Sequence, residues 1–251
     1  MTEPLKGLLL AFVAAAAIAG VWLLDPIPQD PAFHDFADQR ALFGLPHFWN
    51  VATNLPFLLV GVLGWLWISR IASPMLVTHY RVLCTAIALV ALGSGWYHHE
   101  PANATLVWDR LPMTIAFMTL LSALIADRIS WLLGRALLWP LVVAGISSIA
   151  WWVRTEAAGA GDLRAYALVQ FLPLALIPLI LLLWHTGSLA ARPLWLALGA
   201  YALAKLMEHL DAAVFAATGG LVAGHALKHL AAALAAWWIL RAFQGGPARA
   251  L

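Results

Sequence analysis

Apolar residues along this chain run in long uninterrupted stretches, separated by short clusters of proline, glycine and charge. Eight stretches stand near 7–24, 48–69, 80–98, 109–126, 130–152, 165–185, 192–209 and 220–241. Each is close to the roughly 20 residues that a helix needs to cross a bilayer. Strands of a membrane barrel are excluded, because they alternate apolar and polar positions over about ten residues and these stretches are apolar throughout. The pattern predicts an all-α, polytopic membrane helix bundle, with 1–251 forming a single transmembrane domain. Trp49, Trp65, Trp96, Trp108, Trp131, Trp184, Trp195 and Trp237 fall near the ends of the stretches, where interfacial rings belong. The first stretch, preceded by Lys6 and rich in small residues, is also compatible with a cleaved secretory signal. Its length, and the lack of a small-residue site before Asp25-Pro26, favour a retained helix.

Composition agrees. Of 251 residues, 63% are hydrophobic and only 10% charged, against roughly 25% charged in an ordinary soluble domain. That excludes a water-soluble globule and equally a disordered tail, which needs high charge and low hydrophobicity. A net charge of +2 with no cluster of Lys and Arg gives no case for nucleic-acid binding. The single cysteine, Cys84, sits in an apolar stretch as a small hydrophobe.

The charges that exist are unevenly placed. Lys6, Arg70, Arg81, Arg128, Arg135, Arg192, Arg241 and Arg249 fall on the side of the N-terminus, and only Arg40, Arg110, Arg154 and Arg164 on the other. By the positive-inside rule both termini are expected in the cytoplasm, in a bacterial inner membrane for a chain this rich in Ala and Leu. Most acids, among them Asp30, Asp35, Asp38, Asp109, Glu208 and Asp211, fall on the opposite, outer side.

Ionisable groups inside a membrane span are costly, so each is a functional candidate. His225 and His229 stand at i and i+4, on one helix face. Alone, that spacing fits a hydrogen-bonded pair as well as a metal pair. Ser94 and His98 share a face in the same way, and Asp109 opens the next stretch. Taken separately, Ser94 fits a back-bond to its own helix and Asp109 a charge at a helix N-terminus. Topology brings them to similar depth, however: the third stretch ends at His98, the fourth begins at Asp109 and the eighth begins just before His225. His47, Asn50 and Asn54 open the second stretch at that depth, and Glu208, His209 and Asp211 close the seventh. One shared site near the extracytoplasmic face is therefore expected. Three histidines with an open fourth position are a zinc arrangement, Asp109 a candidate proton acceptor and Ser94 a candidate donor to a developing oxyanion.

Ser94-x3-His98, Asp109 and His225-x3-His229, together with Phe48-Trp49-Asn50-x3-Asn54-Leu55, resemble the alkaline ceramidases and their wider membrane-hydrolase superfamily, which includes the adiponectin receptors and lipid-remodelling enzymes of glycosylphosphatidylinositol anchors. The resemblance covers about residues 30–240. It implies a seven-helix core, here with one extra N-terminal helix, and zinc on His98, His225 and His229. It also implies Asp109 as the proton-transfer carboxylate, Ser94 as a polar partner at the reacting centre, and cleavage of the amide bond of a ceramide-like membrane lipid to fatty acid and sphingoid base. An ester-cleaving lipid hydrolase of the same superfamily and a receptor or sensor with a structural zinc remain as alternatives. The family also carries a calcium site before its first core helix. Here His47 replaces an acid of that site, leaving Asp35 and Asp38 as candidate oxygen ligands. Among the remaining polar residues, Lys205 and Glu208 are spaced to pair and Asp211 to contact a ligand histidine. Asn50 and Asn54 are spaced to cross-link helices, His79 and His185 to lie at the interface, and Gly220 and Gly224 to form a close helix contact.

Overall fold

In the computed structural model residues 1–245 are described; Arg249 lies outside them. The chain is an all-α polytopic membrane helix bundle, with strands absent among the described residues. Seven helical segments in that range are long and apolar enough to cross a membrane. The chain falls into two compact units. One comprises Met1–Asp30 with Thr114–Leu189, the other Pro31–Met113 with the residues from Ala190 onward.

The first unit holds helices α1 (Glu3–Trp22), the latter part of α5 (Asn103–Arg128), α6 (Trp131–Ala157) and α7 (Arg164–Leu183). Several of its charges meet partners that tie the helix ends together. Asp127 at the end of α5 accepts hydrogen bonds from Ser188 N (2.7 Å) and Leu189 N (3.1 Å). Arg128 next to it donates to the carbonyls of Trp184 (2.9 Å) and Leu189 (2.7 Å), pinning the turn after α7. Before α7, Asp162 accepts from Arg164 and from Trp151 Nε1 (3.1 Å), while Arg164 reaches back to the Leu24 carbonyl (2.7 Å). Trp184, expected at an interface, is buried and donates to Glu3 at 2.7 Å.

The second unit holds α2 (Phe48–Ala52), α3 (Leu55–Leu66), α4 (Val77–His99), the first part of α5, α8 (Ala191–His209), α9 (Asp211–Ala217) and α10 (Gly224–Phe243). The stretch at 48–69 is thus two helices. Pro56 has no N–H to continue the ladder, and the chain turns at Thr53 and Asn54 before restarting. Glycines allow the helices to approach. A side chain at Gly61 would lie 2.7 Å from the Cys84 carbonyl, and one at Gly93 would collide with the Trp108 carbonyl of α5. The stretch at 192–209 forms α8 but is not among the seven apolar spans, because it carries Arg192, Lys205 and Glu208. Two of these charges neutralise each other: Lys205 and Glu208 form the expected pair, and Glu208 also meets Lys228 of α10 at 3.0 Å. Gly220 is not in a helix. Its φ of +79° places it in the turn before α10, and only Gly224 makes the close contact, against Met207 and Asp211 of the preceding helices.

Candidate metal centre

His98 comes from the last turn of α4, and His225 and His229 from the first two turns of α10. The second unit brings the three together, with one ligand nitrogen of each within 4.8 Å of the others. The ring centroids form a near-equilateral triangle: His98 to His225 4.8 Å, His98 to His229 4.7 Å, His225 to His229 4.9 Å. The rings are 0%, 5% and 3% exposed in the same residue order. Among the described residues this is the one group of three or more His, Cys, Asp or Glu side chains able to hold a metal.

The hydrogen bonds say which atoms are available. Thr53 Oγ1 donates to the Trp49 carbonyl at 2.6 Å, a bond within its own helical turn. Having spent its proton, the hydroxyl offers only lone pairs to His229 Nδ1 at 3.0 Å. His229 Nδ1–H therefore donates to Thr53 and the lone pair sits on Nε2, which has no protein partner. That is how metal-ligating histidines are held, with the second nitrogen fixing tautomer and ring angle. Both ring nitrogens of fully buried His98 also lack a partner. A buried imidazole left so costs on the order of 1–3 kcal/mol per polar atom, a cost that coordination removes at the ligating nitrogen. His225 Nε2 accepts from Lys228 Nζ at 3.3 Å. Coordination through that nitrogen requires Lys228 to keep only its bond to Glu208. Three imidazoles without thiolates suit zinc, copper, iron or nickel more than magnesium or calcium, so the centre fits a transition metal, zinc included.

Ser94, 2% exposed, lies one turn before His98 on the same face of α4. Asp109 is half-buried in the second turn of α5, and its backbone lies at the contact point with Gly93, next to Ser94. The structure thus brings the three histidines together, with Ser94 on the same turn region of α4 and the Asp109 backbone at the adjoining α4–α5 contact. His99 and His209 are exposed and take no part, and His185 is also exposed. His79, expected at the interface, is buried.

Several neighbours were not legible in the sequence. The segment 31–47 folds over the histidines, and Phe36 packs 4.7 Å from the His98 ring and 4.6 Å from His225. His34 Nε2–H donates to Asn103 Oδ1 (2.9 Å) and its Nδ1 accepts from Tyr97 O–H (3.0 Å). Thr53 gave no signal, since its contact with His229, 176 residues away, is a tertiary one. Asn50 and Asn54 do not cross-link helices. Asn54 Nδ2 donates back to the Asn50 carbonyl at 2.7 Å, and the fully buried Asn50 amide has no protein partner.

The residues do not fit calcium. Arg40 bonds both Asp38 oxygens, at 2.8 and 2.6 Å, and holds that carboxyl below the usual carboxylate range. Asp35 is exposed and the His47 side chain offers no oxygen, whereas calcium takes six to eight oxygen ligands. A guanidinium already occupies the charge that calcium would supply.

No family model and no curated protein matches the chain.

Proposed function

We propose that the chain is a zinc-dependent intramembrane hydrolase that cleaves the amide bond of a ceramide-like lipid to fatty acid and sphingoid base. The observation carrying this reading is the buried triad His98, His225 and His229, with open nitrogens on His98 and His229, at the ends of membrane-spanning helices. Zinc held there would supply Lewis-acid polarisation of the carbonyl and water acidified to a pKa of about 7. The rest of the chemistry falls to the protein. Asp109 accepts the proton of the attacking water and returns it to the leaving amine, so that one C–O bond forms as the C–N bond breaks. Ser94 donates to the carbonyl oxygen as negative charge develops on it. Thr53 holds the His229 ring in its ligating tautomer. A lipid substrate suits an apolar bundle, where the acyl chain replaces lipid contacts and the carbonyl meets the polar end of α4, α5 and α10.

The test is incubation of purified protein with a mixed lipid extract, following fatty acid release. Release that zinc chelation stops supports the proposal, and the co-product tells amide from ester: a sphingoid amine or an alcohol. No release from any lipid, with zinc bound, would replace it by the receptor reading.

A further inference from the structure

Two backbone amides converge on one carboxylate beside the triad. Asp211, the first residue of α9, accepts from His225 N through Oδ1 at 2.7 Å and from Ala37 N through Oδ2 at 2.9 Å. The first bond satisfies an amide in the first turn of α10, a helix whose N-cap, Ala223, has no side chain to do so. It also fixes the backbone of a ligand histidine. The second bond fixes the segment that carries Phe36, whose ring is 4% exposed and lies against His98 and His225. Gly224 permits the arrangement, since a Cβ there would stand 2.8 Å from Asp211 Cα. The segment has further anchors on either side of Ala37. His34 is bonded to Tyr97 and Asn103, and Arg40 donates to the Leu221 carbonyl at 3.0 Å. Asp211 thus joins the covering segment and the ligand helix through a single group.

We propose that Asp211 is a positioning residue that couples the 31–47 segment to the metal centre, so that seating Phe36 on the histidines and setting the His225 backbone are one event. The inference rests on the triad as a metal site but not on the reaction. A carboxylate is required because both donors are N–H groups. Asparagine has the same shape but only one acceptor oxygen, and its NH2 would face one of the two amides.

The experiment uses the purified full chain. Zinc affinity is measured by competition with a chromogenic chelator for wild type, Asp211→Asn, Phe36→Ala and the double variant, and hydrogen exchange of the 31–40 peptide is followed with and without zinc. Each single substitution should weaken zinc binding by about 10-fold, the lower end for groups supporting metal ligands. The double variant should weaken it little further, because both changes break one coupled unit. Zinc should slow exchange at 31–40 in wild type and not in Asp211→Asn. Wild-type affinity in Asp211→Asn, multiplying effects in the double variant, or exchange at 31–40 indifferent to zinc in wild type would each overturn the proposal. Should Asp211→Asn fail to fold, the wild-type exchange measurement and Phe36→Ala still decide it. A chain that shows this coupling yet cleaves no lipid refutes the hydrolase reading alone.

Discussion

Gly93 is where α4 and α5 touch next to the site, and replacing it by alanine tests whether that contact places Asp109. A Cβ at Gly93 would collide with the Trp108 carbonyl and lie 2.6 Å from its carbon and 3.3 Å from Asp109 N. These are backbone atoms and cannot rotate away. Restoring an ordinary carbon–oxygen contact of about 3.3 Å requires the two helices to part by roughly an ångström or more. Helix propensity favours Ala over Gly by about 1 kcal/mol, and overpacking costs about 1–3 kcal/mol or more. Gly95, two residues along the same helix, has open space where its Cβ would be. Gly95→Ala therefore isolates the propensity gain, and Gly93→Ala should be less stable than Gly95→Ala by about 1–3 kcal/mol. The single cysteine provides the assay. Cys84 is fully buried, so its labelling by a fluorogenic maleimide during heating in detergent reports unfolding. In folded Gly93→Ala, hydrolysis should fall further than zinc affinity, because Asp109 moves while the triad stays. A Gly93→Ala protein at least as stable as Gly95→Ala would refute the contact.

Thr53→Val removes the acceptor of His229 Nδ1–H and should weaken zinc binding by about 10-fold, while Thr53→Ser should restore it, as chelator competition will show. Asp162 is held down to a pKa of about 2: burial pushes it up, but the hydrogen bonds from Arg164 and Trp151 outweigh this. A lowered carboxyl contributes stability above its unfolded value, near 4, that is lost as pH falls through 2. Asp162→Asn should thus cost about 2 kcal/mol at neutral pH, and the gap to wild type should close between pH 4 and 2 in thermal melts. A phosphatase that is active only after export should be inactive when fused to the C-terminus, which is expected in the cytoplasm; activity of that fusion would reverse the topology drawn from the Lys and Arg asymmetry.

The helices were legible because the bilayer demands long apolar runs, and no alternation competed with them. The triad was legible because i, i+4 spacing and alternating topology between them fix face and depth. What escaped the sequence depends on tertiary contacts without a period. The break at Thr53–Asn54 turned one expected span into two helices and supplied the partner of His229. Segment 31–47 carries no helical period to show that Phe36 is buried in it or that Asp38 is paired with Arg40, which removes the calcium site. Asp211 was expected at a ligand histidine and is there, but on the His225 backbone rather than its ring. Asn50 was expected to bridge helices, and its amide instead lies buried without a protein partner.

The central claim is that three histidines hold a zinc that the chemistry needs. Its most direct measurement is metal content alongside lipid amide hydrolysis for purified wild type and His225→Ala. Wild type should carry one zinc per chain and release fatty acid, and His225→Ala should lose both. Turnover by zinc-free protein, or full activity in His225→Ala, would contradict it.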